Sequence, residues 1–314
     1  MSEKRICPHM HKQPGFLWAS FECAFWNLRL LRKNIRFYLC LFAGLLICFF
    51  LTEKIISLAA VFGTKIQVFE PFIFSFADGD SVLFASLALM LPLSLIPQLT
   101  APASYLIFRS GKKSWIMGQM ITAVLISVFY SLFLMTVTGL FTLGNVTFAD
   151  QWSDTATVLS FAPQQFDVAL NIVRRTVKYT TPIRCAAAVF ALTALYMTLL
   201  SLINLLMSLH FGKRTGMNAV MILSFICYIL TPDRFFIWME LPDEKLQYLA
   251  NLAAVWVSPL QHCTYTMHSF GYDRLPTFLQ SYLLIGGAVF LLLMLCFPAS
   301  RRITFTFHRG EDHE

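Results

Sequence analysis

The sequence predicts an all-α polytopic membrane protein with six transmembrane helices, an N-terminal interfacial helix, a re-entrant outer helix before the last span, and cytoplasmic N and C termini. Composition is the first reason, because the 314 residues are 57% hydrophobic and only 13% charged, whereas soluble domains carry roughly 25% charged residues. The second reason is that the apolar runs are long and continuous, unlike the alternating pattern of a transmembrane β-barrel.

Charge distribution is the third reason. With six spans in place, the cytoplasmic segments hold 15 Lys/Arg and five acids, and the outer segments hold nine Lys/Arg and 12 acids. This asymmetry follows the positive-inside rule, and it explains the net charge of +7 without a nucleic-acid partner.

The N-terminal region divides into a polar cytoplasmic leader, residues 1–14, and an interfacial connecting helix, residues 15–36. The helix carries aromatic residues first and basic residues after them: Trp18, Phe21, Phe25, Arg29, Arg32, Lys33 and Arg36. At about 100° per residue the two sets fall on nearly the same azimuth, so one straight helix cannot bury one set in lipid and hydrate the other. We therefore expect a bend near residues 28–31.

The predicted transmembrane domain covers residues 37–298. The six spans are residues 37–62, 81–99, 115–141, 185–209, 217–231 and 275–298, followed by a cytoplasmic tail, residues 299–314. The first apolar run follows a polar leader without an A-x-A cleavage site, so it is expected to remain as a span. Pro92 and Pro97 predict a kink near the cytoplasmic end of the second span.

Two connecting segments stand out. Residues 100–115 contain Arg109, Lys112 and Lys113 and no acid, which indicates a cytoplasmic loop. The apolar run at residues 246–260 is too short to span a bilayer, and such runs are typical of re-entrant or interfacial helices.

Three strings support a resemblance to a known family. They are FRSGKKSWIMGQMI at residues 108–121, HFGKRTGMN at 210–218 and WVSPLQHCTYTMHSFGYDRLP at 256–276. Together with the layout of the spans, they resemble the coupling loop, the second cytoplasmic turn and the outer re-entrant region of an ABC-2 type transporter permease, the membrane subunit of bacterial ABC exporters.

The resemblance implies a machine of several chains in the plasma membrane of a bacterium. Two permease chains, identical or related, would work with two copies of a separate P-loop ATPase subunit, which would hold ATP and Mg²⁺. The ATPase-coupling loop would include Arg109, Lys112, Lys113 and Trp115, and residues 15–36 would lie on both membrane and ATPase. The exported substrate would be amphipathic, such as a peptide, a drug-like compound or a lipid.

The chain itself is not expected to be an enzyme or to hold a cofactor. Gly111-Lys112-Lys113-Ser114 lacks the preceding glycine of a P-loop, so ATP hydrolysis is assigned to the partner. The predicted third, fourth and sixth spans contain no Asp, Glu, Lys or Arg, which disfavours an ion-coupled carrier because such carriers use intramembrane ionisable groups. A non-transporting membrane sensor or assembly protein is the main alternative, and a membrane enzyme or an ion-coupled carrier is the third.

A few side chains allow other interpretations. Glu53 and Lys54 are interpreted as a pair at the membrane interface rather than as a proton relay. Thiol, thioether and imidazole groups suit Cu(I), but neither group of such residues has a metal-binding spacing, so no metal site is assigned. The two groups are Cys7, His9 and His11 in the leader, and His262, Cys263, Met267 and His268 in the outer region.

Overall fold

The computed structural model describes residues 15–98, 101–144, 146–161, 174–243, 246–271 and 273–299, and it is 80% helical. In chain order the helices are α1 Phe16–Arg32, α2 Ile35–Phe62, α3 Glu70–Phe76, α4 Gly79–Leu93, α5 Ala101–Ser110, α6 Lys112–Leu140, α7 Asp154–Phe161, α8 Arg174–Tyr179, α9 Pro182–Phe211, α10 Lys213–Ile229, α11 Pro232–Trp238, α12 Gln247–Val257 and α13 Phe278–Ala299. Two-residue strands β1 Ile66–Gln67 and β2 Val146–Thr147 pair in parallel.

Four of these helices are long and apolar enough to cross a membrane: α2, α6, α9 and α13. The number rises to six if two bent pairs each count as one span. These pairs are α3 with α4, bent by 89°, and α10 with α11, bent by 67°. The fold is therefore that of an all-α membrane protein with four to six candidate spans in the described residues.

The turns between the long helices gather at two ends of the bundle. At the end named here the α5 end, the start of α2 contacts the end of α4, where Arg36 Nη1 donates to Ser94 Oγ at 2.8 Å. At the opposite end, named the α12 end, Gly79 N donates to Thr264 Oγ1 at 3.0 Å and Tyr265 N donates to the Ala77 carbonyl at 2.8 Å. Successive long helices thus run in alternating directions between the two ends.

Helices α6 and α9 pack together in the centre of the bundle. Large side chains such as Leu134 and Met197 are fully buried there. Small polar groups also cross the interface, since the hydroxyls of Ser127 and Ser201 lie 2.7 Å apart: one donates to the other across the interface, and the accepting serine donates to a carbonyl of its own helix. Small and hydroxylated residues allow the close backbone approach that is common between membrane helices.

Helix α1 is unbroken to Arg32, so the predicted bend at residues 28–31 is wrong. The break lies at Lys33 and Asn34, where the Asn34 side chain accepts from Arg36 N and caps α2. A bend is unnecessary because the buried face of α1 is neither the aromatic nor the basic set. It is a third face of mostly small residues, Ala19, Ser20, Cys23, Ala24, Asn27 and Leu31, packed on α6.

The second predicted span also differs from the structure. Helix α4 ends at Leu93, one residue after Pro92, rather than continuing with a kink to residue 99. Proline lacks a backbone donor and restricts the residue before it, and here the Asn204 side chain donates to the carbonyls of Leu93 and Ile96 at 2.9 and 3.4 Å. These contacts stabilise the end of the helix where the chain turns away.

The region predicted as a re-entrant helix contains a shorter helix and two 3-10 turns. Helix α12 packs against α11, and the turns Gln261–Cys263 and Tyr265–Met267 follow it. Cys263 and Tyr265 are buried, and Cys263 Sγ donates weakly to the Leu192 carbonyl of α9 at 3.8 Å. The chain therefore returns into the bundle after α12.

Candidate functional site

The first candidate site is formed by α5 and the helices that hold it. One side of α5 is fixed to α1: Arg109 Nη2 lies 3.5 Å from Glu22 Oε1, and Ser110 Oγ lies 3.3 Å from Cys23 Sγ. Ile107 is buried between them and the core. Helix α5 is thus attached along one side rather than free at the surface.

The other side of α5 is aromatic and exposed. Tyr105 is 75% exposed and Phe108 is 76% exposed, and they lie one helical turn apart. Arg109 and, beyond the glycine turn, Lys112 and Lys113 are exposed beside them. Aromatic residues and arginine are enriched where proteins bind one another. This surface, Tyr105, Phe108, Arg109, Lys112 and Lys113, is named the α5 face.

Sequence reasoning found the cations of the α5 face and missed its aromatics. The signal was present, because Tyr105 and Phe108 are separated by three residues within a loop predicted to be basic. Conversely, Trp115 was expected in the coupling loop, but its side chain is only 1% exposed in the first turn of α6. Trp115 belongs to the core beneath the α5 face and is withdrawn from the candidate contacts.

The residues predicted on the connecting helix are all exposed. The aromatics Trp18, Phe21 and Phe25 are 71%, 60% and 67% exposed, and the cations Arg29, Arg32, Lys33 and Arg36 are exposed as well. The Arg29 guanidinium lies 5.9 Å from the centre of the Phe25 ring, within the range of a cation–π contact. One face of α1 thus carries both sets, aromatics first and cations after them.

A buried amide network lies between α1 and the bundle. Asn27 Nδ2 donates to Thr122 Oγ1 at 3.3 Å, and Gln119 Nε2 donates to Asn27 Oδ1 at 3.3 Å. Gln98 Nε2, just after α4, donates to the Asn27 carbonyl at 3.1 Å. Close backbone approach supports the same joint, because a Cβ added at Gly118 would meet Cys23 Cβ at 2.6 Å. Helices α1 and α6 and the end of α4 are therefore coupled at one point.

The second candidate site is a buried hydroxyl between two histidines at the α12 end. Ser281 Oγ lies 3.0 Å from His262 Nδ1 and 2.9 Å from His268 Nε2. His268 Nδ1 lies 3.1 Å from the Thr264 carbonyl and so must donate to it. His268 Nε2 then accepts from the serine hydroxyl, and the serine oxygen accepts from His262 Nδ1, which leaves the His262 Nε2 lone pair buried without a partner.

Burial keeps both imidazoles neutral. It lowers the pKa of His262 to about 4 and, together with the neighbouring His262, lowers the pKa of His268 to about 4. His268 also borders an outer cleft of about 350 Å³ lined in part by Tyr248, Asn251 and Asp273. The arrangement orders the segment after α12 against the start of α13.

The possible metal ligands do not converge. Cys263 Sγ is engaged with the Leu192 carbonyl, away from the two histidines, and Met267 lines the outer cleft. In the part of the chain that the structure describes, no group of three His, Cys, Asp or Glu side chains is placed to hold a metal ion. The leader group, Cys7, His9 and His11, lies outside the described residues.

Two acidic residues in the first half of the chain contrast in their surroundings. Glu53 and its neighbour Lys54 are exposed on α2 and do not enter the core. Glu70, which sequence reasoning did not single out, is fully buried at the start of α3. Its carboxylate accepts from Ser153 N at 2.6 Å, Ser153 Oγ at 2.7 Å and Gln67 N at 3.2 Å.

Comparisons with known proteins add no identification. No family model, no curated protein and no solved structure matches the chain.

Proposed function

We propose that this chain is the membrane subunit of an ATP-driven transporter, and that a separate P-loop ATPase subunit docks on the α5 face. The observation that carries the proposal is the form of α5: one side is fixed to α1 by Arg109–Glu22 and Ser110–Cys23, and the other exposes Tyr105 and Phe108 to about three quarters of their area. An exposed aromatic pair on an anchored helix suits a protein partner.

The charge distribution supports a cytoplasmic position for the α5 face. Among the described residues, the acids lie towards the α12 end or in the second half of α2, with the single exception of Glu22, whereas Lys and Arg lie at the ends of α1 and α5 and at the starts of α2, α6 and α10. By the positive-inside rule the α5 end would face the cytoplasm, where ATP and Mg²⁺ are available to a partner. This orientation is part of the proposal.

The absence of a buried relay in the described bundle supports an external energy source. Glu70 is the sole buried Asp, Glu, Lys or Arg among the described residues, and its three hydrogen bonds come from Gln67 and Ser153 at the α12 end. A proton- or sodium-driven carrier is expected to place such a group along its pathway inside the membrane. Coupling through a docked ATPase does not require one.

The contacts of α1 provide a route for that coupling. Closure of two ATPase subunits would displace α5, and α5 is attached to α1 through Arg109 and Ser110. Helix α1 in turn contacts α6 at Gly118 and the end of α4 through Asn27 and Gln98. A shift of α1 would therefore bias the arrangement of both helices, as a two-state transport cycle requires.

The remaining features of the proposal follow from the resemblance and the apolar bundle. Two permease chains, identical or related, would form the pathway in the bacterial plasma membrane, and an amphipathic peptide, drug-like compound or lipid would be exported.

The test is purification of the tagged full chain from native membranes in mild detergent, with quantitative mass spectrometry of its partners. A P-loop ATPase in near-equal amount is the expected result. A chain recovered alone, or transport by the chain without any ATPase, would contradict the proposal and favour a non-transporting membrane protein or a carrier.

A further inference from the structure

The starting observation is a cluster of cations that is held in place at the α5 end. The Arg36 guanidinium donates to Ser94 Oγ at 2.8 Å, and Ser94 Oγ in turn donates to the Leu91 carbonyl at 2.6 Å. Lys213, the first residue of α10, is half-buried, and the first turn of α10 lies beside the end of α4: a Cβ added at Gly216 would meet the Asn204 carbonyl oxygen at 2.6 Å, and the Asn204 side chain donates to the Leu93 carbonyl. A cation that only sets the orientation of the chain in the membrane has to lie on the correct side. Its side chain does not have to be held by a hydrogen bond, as the Arg36 guanidinium is.

No acid accompanies these two cations in the part of the chain that the structure describes. Neither Arg36 nor Lys213 forms an ion pair there, and the one acid described at the α5 end, Glu22, lies 3.5 Å from Arg109 instead. Cations gathered at one end of the bundle without a counter-charge attract an external anion.

Two rows of side chains lead from the cations towards an apolar crevice farther along α4 and α10. On α4, Ser94, Leu91 and Leu87 follow helical spacings of three and four residues and lie on one face. On α10, Lys213, Met217, Met221 and Phe225 recur every four residues, so this row winds gradually around the helix from the cation to the crevice. Further along, Leu87 and Leu83 face Met221, Phe225 and Tyr228 across an open crevice of about 290 Å³.

The spacing matches the two parts of a lipid. Met221 is eight residues beyond Lys213 and Leu87 is seven before Ser94, so the crevice begins about 10–12 Å from the cations along the helix axes. One leaflet of the hydrocarbon core is about 15 Å deep. The crevice therefore lies at the depth of an acyl chain whose phosphate is at the cations. The crevice is bordered by exposed apolar side chains, with Met221 50% and Phe225 64% exposed.

We infer that the groove between α4 and α10 binds one anionic phospholipid, with its phosphate at Arg36, Ser94 and Lys213 and an acyl chain in the crevice between Leu87 and Met221. Charge complementarity selects an anionic headgroup, and the apolar crevice selects a long acyl chain. The inference does not depend on the identity of the ATPase partner or on transport.

The test measures lipid binding to the full chain in detergent, with any co-purifying partner retained. The probes are phosphatidylglycerol and phosphatidylcholine with the same long acyl chains, and the readout is the lipid bound in native mass spectrometry across a titration. The charge variant is Arg36→Gln with Lys213→Gln. Its matched control is Arg32→Gln with Arg214→Gln, which removes two exposed cations from the same two junctions, α1–α2 and α9–α10.

A second pair of variants tests the crevice. Met221→Trp fills it, and Met294→Trp places the same side chain at a methionine that is equally exposed, 49% against 50%.

The expected result is tight binding of phosphatidylglycerol over phosphatidylcholine by the unmodified chain. Each cation near a membrane surface contributes about fivefold to anionic lipid binding, so the charge variant should bind roughly 30-fold more weakly, and its control should bind as the unmodified chain does. Met221→Trp should release the lipid, and Met294→Trp should not.

Four results would overturn the inference. Equal loss in both charge variants would show diffuse attraction, and equal binding of both lipids would show no headgroup recognition. Undiminished binding by Met221→Trp, or competition by inorganic phosphate as effective as by the lipid, would reduce the site to an anion site without an acyl chain. A second copy of the chain that covers Met221, detected by cross-linking in place of lipid, would assign the crevice to a protein interface.

Discussion

The two ends of the bundle treat their polar groups in opposite ways. At the α12 end, two buried polar groups are hydrogen-bonded within the chain: Glu70 to Ser153, and Ser281 to two histidines. On the α5 face, charged and aromatic side chains are exposed around a single ion pair between half-exposed partners. Removing a buried hydrogen-bond partner lowers the free energy of unfolding, whereas removing an exposed charged group changes it little. This difference is consistent with the proposal that the α5 face contacts a partner, whereas the buried groups of the α12 end stabilise the fold.

The sharpest test of the buried end is Glu70→Ala. It leaves Ser153 N, Ser153 Oγ and Gln67 N without their acceptor, so the free energy of unfolding should fall by roughly 3–5 kcal/mol. The matched control is Glu53→Ala, which removes an exposed carboxylate from α2. Thermal unfolding in detergent measures both variants. An equal, small effect would mean that the Glu70 contacts do not hold α3 to the start of α7.

The next largest effect is expected from Gly118→Leu. A Cβ there would meet Cys23 Cβ at 2.6 Å and the Ser20 carbonyl oxygen at 3.0 Å, so α1 must move away from α6. Overpacking of this kind costs about 1–3 kcal/mol, and it should also disturb the amide network of Asn27. Gly287→Leu is the control, because nothing lies within 4 Å of a Cβ at that position. Limited proteolysis should cut α1 earlier only in Gly118→Leu; equal cleavage of both variants would contradict the tight joint.

The histidine pair predicts how stability depends on pH. Both pKa values are about 4 in the folded chain and about 6.5 in an unfolded one, so the unfolded state binds more protons as pH falls below 6.5. Stability should therefore decrease between pH 7 and pH 5, by about 2 kcal/mol for each histidine. His268→Gln should flatten this dependence. His210→Gln, which removes an exposed histidine at the α5 end, should not, and a profile unchanged by His268→Gln would exclude the pair as its cause.

The smallest effect on stability is expected from the ion pair on the α5 face. Arg109 and Glu22 are 62% and 42% exposed in their side chains, and such surface pairs contribute less than about 1 kcal/mol. Arg109→Gln should leave unfolding nearly unchanged and weaken partner binding several-fold, because Arg109 belongs to the α5 face, on which the ATPase is proposed to dock. Glu22→Gln breaks the same pair and keeps the cation, so it should retain the partner. If Glu22→Gln released the partner as well, the pair itself and not the cation would matter.

Sequence patterns predicted the long helices well and the packed details poorly. The end of α2 at Phe62 was predicted because a bilayer requires more residues than the uncharged run supplies. The early end of α4 and the burial of Trp115 were not predictable, because both depend on tertiary packing: Asn204 on α9 donates to the carbonyls of Leu93 and Ile96, and Trp115 is part of the packed core of the bundle. Helix α3 was not predicted, because a glutamate such as Glu70 is typical of an exposed loop. Only the folded chain brings Ser153 beside it as a hydrogen-bond donor.

The central claim is that the exposed aromatics of the α5 face bind the ATPase, and Phe108→Ala tests it most directly. The matched control is Phe148→Ala, which truncates an equally exposed phenylalanine, 73% against 76%, at the α12 end. The measurement is the amount of P-loop ATPase retained per tagged chain through a salt series, with unfolding temperature recorded for both variants. The prediction is that Phe108→Ala retains at least about tenfold less ATPase at unchanged stability, while Phe148→Ala retains all of it. Equal retention by the two variants would contradict the account.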